Sequence, residues 1–223
     1  MPATPRQLAL ALDHPESLAR EDFLSGPSNA AALALIDSWP AWPHPMILLT
    51  GPEGSGKSHL AAVWAQAAGA RVLSAQALDQ AGVPGALATG ALVVEDLAAG
   101  AFDERALFHL VNLAREEQAF VLLTARVAPS TFAIRDLGSR LKALPVVAMT
   151  PPDDALLRAV LVKLFSDRQV AVDESLIGYL ATRIERSFSA ARATVAALDR
   201  EAMCQKRPLT RALAAELLRL PEA

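Results

Sequence analysis

Apolar positions along this chain follow two successive rhythms. Through its first two thirds, short unbroken apolar runs recur at 47–50, 71–74, 91–94, 120–124 and 146–149. A run without polar alternation leaves a strand no face for water, so these segments predict a parallel sheet covered by helices on both faces. Parallel neighbours need long crossovers, and the intervening stretches are long enough to supply helices. After Pro151-Pro152 the rhythm becomes helical, with Asp153 or Asp154 placed to cap the first helix. Leu156, Val160 and Leu164 mark that helix; Leu176 and Leu180 a second; Phe188, Val195, Leu198 and Ala202 a third; Leu209, Leu213 and Leu217 a fourth, opened by Pro208. No strand is predicted there. The expected fold class is α/β, a core with a five-stranded parallel sheet between helices, followed by a small helical domain. Trp39-Pro40-Ala41-Trp42-Pro43-His44-Pro45 makes a Pro-rich entry into the first strand, its tryptophans read as packing anchors.

One junction in this pattern carries chemistry. Gly51-Pro52-Glu53-Gly54-Ser55-Gly56-Lys57-Ser58 is a complete G-x-x-x-x-G-K-[ST] phosphate loop between the first apolar run and the helix-forming Leu60-Ala61-Ala62-Val63-Trp64. Glycines let the backbone turn its N–H groups onto phosphates, a lysine adds charge at the terminal phosphates, and the serine hydroxyl is a ligand for Mg²⁺. The helix that follows offers its unpaired N–H groups and positive dipole end to the same anion. Nucleotide binding is the function class that these residues indicate by themselves.

Composition narrows the picture further. A length of 223 residues accommodates one sizeable core with a small satellite. The formal charge of −3 argues against a broad basic surface for duplex DNA, so DNA is expected only as an indirect partner. A single cysteine, Cys204, excludes an internal disulfide, suits a reducing compartment and is expected as a small buried apolar group. No apolar run reaches the roughly 20 residues of a membrane span. The short apolar stretch at 8–12 runs into Asp13, His14 and Pro15, unlike a signal peptide. A soluble, cytoplasmic protein without a membrane partner is expected.

Several segments resemble the AAA+ modules of the DnaA-related family, which includes the DnaA replication initiators and the shorter Hda regulators. Phe23-Leu24-Ser25-Gly26-Pro27-Ser28-Asn29 is similar to the N-terminal segment that packs around adenine there, implicating Leu24. Read from the residues alone, it is a turn with Ser28 or Asn29 capping the next helix. The loop running into His59-Leu60 is similar to the family's G-K-[ST]-H-L. The resemblance thus makes Gly51, Pro52, Gly54, Ser55, Gly56, Lys57, Ser58 and His59 nucleotide-binding candidates. Leu92-Val93-Val94-Glu95-Asp96-Leu97 occupies the place of the Walker B strand, whose carboxylate holds Mg²⁺ through its waters. Relatives usually begin this acidic pair with Asp; here Glu95 stands first, and either Glu95 or Asp96 serves the metal together with Ser58.

Two arginines and one further departure complete the resemblance. Leu123-Thr124-Ala125-Arg126 ends where relatives carry a polar sensor I residue, often Asp. A guanidinium does not orient an attacking water as a carboxylate does, although it suits phosphate. Weak or absent intrinsic hydrolysis is expected. Asp136-Leu137-Gly138-Ser139-Arg140-Leu141 is similar to the S-R box, which implies that Arg140 is a catalytic arginine finger reaching a neighbour's nucleotide. Outside the resemblance Arg140 reads as a surface arginine. The segment from Ala190 through Arg200 matches the sensor II pattern, which implies that Arg192 reaches bound phosphates; a helix-surface salt bridge is its other reading.

At the N-terminus, Gln7-Leu8-Ala9-Leu10-Ala11-Leu12 resembles the sliding-clamp-binding peptide of Hda proteins. There Gln7 would offer an amide that both donates and accepts, while Leu8, Leu10 and Leu12 would enter an apolar cleft. The other reading is a terminal strand or helix packed on its own core. The resemblance divides the chain into a tail at 1–14, an AAA+ nucleotide-binding domain at 15–150 and a lid at 151–223. The sequence stops at Ala223 without the helix-turn-helix domain of DnaA initiators, as expected of the Hda type. Such a protein would bind ADP or ATP with Mg²⁺ and dock on the DNA polymerase III sliding clamp (beta subunit). From there it would promote hydrolysis of ATP bound to the DnaA initiator, as a negative regulator of replication initiation. Self-association stays open. The alternative is an autonomous AAA+ ATPase of the helicase-loader or initiator type, acting on DNA or replisome proteins, with Arg140 serving an identical neighbour.

Overall fold

A computed structural model describes residues 18–218; Gln7, Leu8, Leu10 and Leu12 lie outside the described residues. Chain contacts divide it into two compact units, one spanning Leu18–Pro151 and the other beginning at Pro152. The first contains α1 (Ala30–Asp37), β1 (Met46–Thr50), α2 (Lys57–Ala68), β2 (Arg71–Ser74), α3 (Val83–Ala86), β3 (Ala91–Glu95), α4 (Glu104–Glu116), β4 (Phe120–Ala125), α5 (Arg135–Lys142) and β5 (Val146–Ala148). The second contains α6 (Asp154–Asp167), α7 (Glu174–Ala181), α8 (Phe188–Gln205) and α9 (Arg211–Leu217).

All five strands are parallel, in the order β2-β3-β4-β1-β5. Successive side chains of a strand point to opposite faces. Met46 and Leu48 therefore pack with Leu92, Val94, Leu107 and Leu110 on one face, while Ile47 and Leu49 pack with Val93, Leu60 and Trp64 on the other. Two apolar faces are what the unbroken runs encode. That expectation holds for β1, β3 and β4 but not at the sheet edges, where Val72 of β2 and Val146 of β5 are each 48% exposed. Both edge strands are short and have a neighbour on one side only. The tryptophans are packing anchors: Trp42 stacks on Trp64 at 4.8 Å and donates Nε1–H to the Leu35 carbonyl at 2.8 Å.

The helical unit has its own core of Leu157, Leu161, Phe165, Leu176, Leu180, Val195, Leu198 and Leu213. Asp153, rather than Asp154, caps α6 by accepting the Leu156 N–H at 2.8 Å. The deepest stripe of α6 is Leu157, Leu161 and Phe165, one residue on from the Leu156-Val160-Leu164 row, because both rows are apolar at helical spacing. The last helix is opened by Thr210, whose hydroxyl accepts the Leu213 N–H, and not by Pro208, which offers no side-chain acceptor. Cys204 is exposed, contrary to its expected burial. The buried row of α8 runs through Ala191, Val195 and Leu198 and then reaches the half-buried Ala202, leaving position 204 on the solvent side. Among the described residues no helix is long and apolar enough to cross a membrane.

Candidate functional site

Strand β1 delivers the chain to the C-terminal edge of the sheet, between β4 and β5, where residues 51–56 turn into α2. A β-carbon on Gly51, at φ 156°, would lie 2.7 Å from the Met149 carbonyl oxygen. Gly54 (φ 70°) and Gly56 (φ 97°) occupy the left-handed region that glycine enters without penalty. The Gly51 N–H is shared between the carbonyls of Ala125 and Arg126, at 3.2 Å each, which ties the loop to the end of β4. Because α2 begins after Gly56 with no capping side chain, its first N–H groups have no intrahelical acceptor. Exposed Ser58 stands in that first turn, and Ser55 is buried with its hydroxyl unpartnered.

Lys57 is only 7% exposed and donates to the carbonyl oxygens of Gly51 and Pro52, both at 2.8 Å. Burial pushes its ammonium below the usual lysine pKa; Asp96 opposes that shift, Arg126 adds to it, and Glu53 and Glu95 oppose it more weakly. A cation held where burial disfavours charge is stabilised by an arriving anion.

The acidic pair is split by the backbone. Strand β3 ends at Glu95, and Asp96 turns to φ 58°, a conformation that Asp tolerates better than most residues. Its N–H donates to the hydroxyl of Thr124 at 3.1 Å, and the Leu97 N–H to the Thr124 carbonyl at 2.8 Å. Glu95 is half-buried with Oε1 buried and unpartnered, whereas Asp96 is exposed. Arg126 leaves the end of β4 and donates Nη2–H to the carboxylate of Glu53, inside the phosphate loop. The sequence reading missed the roles of Thr124 and Glu53. A hydroxyl in an apolar strand was the available signal for the first, and a carboxylate in an anion-binding loop for the second.

The segment around Leu24 is held from three directions. Asn29, 2% exposed, accepts the Gly26 N–H through Oδ1 at 2.9 Å and donates through Nδ2 to the Leu24 carbonyl at 3.0 Å. Its side chain fastens this turn and does not cap α1, and Ser28 does not cap it either. The Ser28 carbonyl accepts the Thr150 N–H at 3.1 Å, just past β5. His59 of α2 sets Nε2 3.1 Å from the Ala19 carbonyl and packs edge-on against Phe23, with ring centroids 5.2 Å apart. His59 therefore joins the phosphate-loop helix to the preceding segment.

Two arginine candidates remain. Arg140 of α5 is half-buried, its guanidinium 5.3 Å from the ring centroid of Phe108 on α4. Arg192 is half-buried on α8, in the other unit. The α/β unit thus gathers the loop, Glu95, Asp96 and Arg126 around Lys57.

By sequence, no family model and no curated protein matches the chain. Its fold does match solved structures. Domain III of the Thermotoga maritima replication initiation protein DnaA superposes with a TM-score of 0.71 at 18% identity, over 91% of this chain and 95% of that one. AMPPCP-bound DnaA from Aquifex aeolicus gives 0.66 at 20% identity, over 85% and 66%. The Thermotoga maritima RuvB Holliday junction branch migration motor gives 0.65 at 16% identity, over 82% and 63%. The chain spans about two thirds of the length of the latter two. It has the α/β AAA+ fold seen in DnaA domain III, a five-stranded parallel sheet with flanking helices.

Proposed function

We propose that this chain is a nucleotide-binding AAA+ switch of the Hda type, which holds ADP or ATP in its own phosphate loop and presents Arg140 to ATP bound by a DnaA initiator. One observation carries this reading. The phosphate loop leads into an uncapped helix start beside the buried Lys57, while Arg126 at the end of β4 is a cation tied to Glu53. A guanidinium has five donors and no acceptor, so it can neither take a proton from an attacking water nor accept that water's O–H as a carboxylate does. The site is built to hold phosphates more than to cleave them. An adenine nucleotide is supported by the AMPPCP bound to the matching DnaA, with the fastened turn at Leu24 proposed to flank the base.

The residues present also fit Mg²⁺. Ser58 is exposed in the first turn of α2, and Glu95 carries an unpartnered buried oxygen. Among the described residues no group of three or more His, Cys, Asp or Glu side chains forms a metal site of its own. Ser58 with Glu95 or Asp96 would therefore hold the ion jointly with nucleotide phosphates, where it neutralises their charge.

Arg140 supplies the trans function. An arginine finger provided by a partner accelerates hydrolysis by roughly 10³–10⁵-fold, and Arg140 lies on α5 with its guanidinium 5.3 Å from the Phe108 ring centroid. In this reading Gln7, Leu8, Leu10 and Leu12 dock the chain on the sliding clamp, so that DNA is met only through the clamp. A pull-down on the clamp with the intact chain and a Gln7→Ala, Leu10→Ala double variant tests the docking. Retention of the intact chain and loss of the double variant are expected; equal retention of both, or of neither, would contradict it. Gel filtration with ATP and with ADP addresses the autonomous-motor alternative, which requires an ATP-specific oligomer.

A further inference from the structure

Four exposed arginines of this chain, Arg20, Arg126, Arg186 and Arg207, donate to carboxylates. Arg140 is held in another way. Among the described residues its side chain makes no ion pair or hydrogen bond, and its guanidinium lies 5.3 Å from the ring centroid of Phe108. A ring face orients a guanidinium through its π charge and leaves the N–H groups unspent, whereas a carboxylate takes up donors of the same fork. An arginine that has to meet phosphate oxygens on a neighbour keeps its donors only on the first kind of support.

The supporting ring belongs to a braced helix. Asp103 closes the start of α4 by accepting the N–H groups of Arg105 and Ala106 at 2.8 and 3.3 Å. Glu104 then divides its carboxylate between two consecutive backbone N–H groups at the entry to α5: Oε1 accepts from Ala133 at 3.0 Å and Oε2 from Ile134 at 2.8 Å. Phe132, just before them, lies so close to α5 that a β-carbon on Gly138 would come within 3.0 Å of its ring. Leu137 and Leu141 of α5 are buried, which fixes the rotation of the helix that carries Arg140. Phe108 follows Glu104 by about one helical turn, so both stand on the same face of α4. That face holds α5 at two points, its entry through Glu104 and Arg140 through Phe108.

We propose that Phe108 and Glu104 are positioning residues for Arg140: Glu104 sets where α5 begins, and the Phe108 ring holds the guanidinium in one direction with its donors open. This rests on the reading of Arg140 as an arginine finger. A long side chain without such support samples several rotamers and meets a partner's phosphates in only some of them.

Single-turnover hydrolysis of ATP preloaded on DnaA, with DNA-loaded clamp and increasing amounts of the full chain, separates the maximal rate from the half-saturating concentration. Wild type, Phe108→Leu, Phe108→Tyr, Glu104→Gln and Arg140→Ala are compared, together with the Phe108→Leu, Arg140→Ala double variant. Phe108→Leu keeps apolar bulk and removes the ring, so the maximal rate should fall roughly fivefold, while the half-saturating concentration moves less than about twofold. Phe108→Tyr keeps the ring and should keep the rate. Glu104→Gln sets an amide donor against a backbone N–H and should lower the maximal rate about threefold. In the Arg140→Ala background, Phe108→Leu should add no further loss. An equal loss on top of Arg140→Ala, a loss confined to the half-saturating concentration, or a full rate in Phe108→Leu would overturn the proposal, while a loss in Arg140→Ala itself keeps the finger reading. An undiminished rate in Arg140→Ala would overturn both. Should Phe108→Leu lose its thermal unfolding transition, Phe108→Met replaces it with the same expected loss, because methionine fills similar space without a ring.

Discussion

The two units of this chain begin their helices in opposite ways. In the helical unit each described helix is closed by a side chain: Asp153, Asp173, Ser187 and Thr210 accept the N–H groups of Leu156, Leu176, Ala190 and Leu213. In the α/β unit only α4 has such a cap, from Asp103; α2 starts behind Gly56 with nothing to satisfy its first donors. A cap stabilises a helix by roughly 1 kcal/mol through donors satisfied internally. An uncapped start after a glycine turn keeps those donors and the dipole end for an external anion. α1, α3 and α5 lack side-chain caps as well, and α2 differs from them in following the glycine turn of the phosphate loop.

The largest expected effect falls on the open side. Lys57→Ala is expected to reduce nucleotide affinity on the order of 100-fold, measured by calorimetric titration. Stability without nucleotide should change little, because the lost hydrogen bonds to the Gly51 and Pro52 carbonyls are offset by removal of a cation that burial disfavours. In wild type, nucleotide at a hundredfold excess over its Kd should raise unfolding free energy by about 2.7 kcal/mol, and this rise should vanish in the variant. A Lys57→Ala chain that is unstable but still binds would break the contrast.

On the closed side the effects are smaller and of the other kind. Asp153→Ala and Thr210→Ala should each cost about 1 kcal/mol in denaturant unfolding and leave nucleotide affinity unchanged. A change in affinity instead would show that these caps do more than close helices. The smallest effect is a pH dependence at Asp173, whose carboxyl is held below the usual range by the Ser175 hydroxyl and then by the Leu176 N–H. A depressed carboxyl stabilises the fold fully above its unfolded pKa of about 3.9. That stabilisation is lost as pH falls through the folded value. Asp173→Asn should therefore unfold with a flatter acid limb than wild type, followed by circular dichroism; parallel limbs would remove Asp173 from the account.

What was legible in the sequence follows from which interactions are local. Strands β1, β3 and β4 were readable because both their faces are buried, so their runs show no polar alternation and admit only a buried threonine near the end of β1 and of β4. The phosphate loop was readable because each glycine answers a backbone need at its own position. The exposure of Val72 and Val146 was not, since being at an edge is a property of strand order and not of composition. The Arg126–Glu53 pair joins two loops distant in sequence, and neither residue type names its partner. Asn29 was placed correctly at a helix start, yet its amide serves the preceding turn, a choice that depends on how the chain approaches the helix.

We propose that this chain promotes hydrolysis on a partner's nucleotide through Arg140. The most direct test is single-turnover hydrolysis of ATP preloaded on DnaA, with DNA-loaded clamp and either the intact chain or its Arg140→Ala variant. The account predicts that the intact chain accelerates hydrolysis, that Arg140→Ala loses most of the acceleration while still binding nucleotide, and that the chain alone turns over ATP slowly. Equal acceleration by both forms, or fast turnover by the isolated chain, would contradict it.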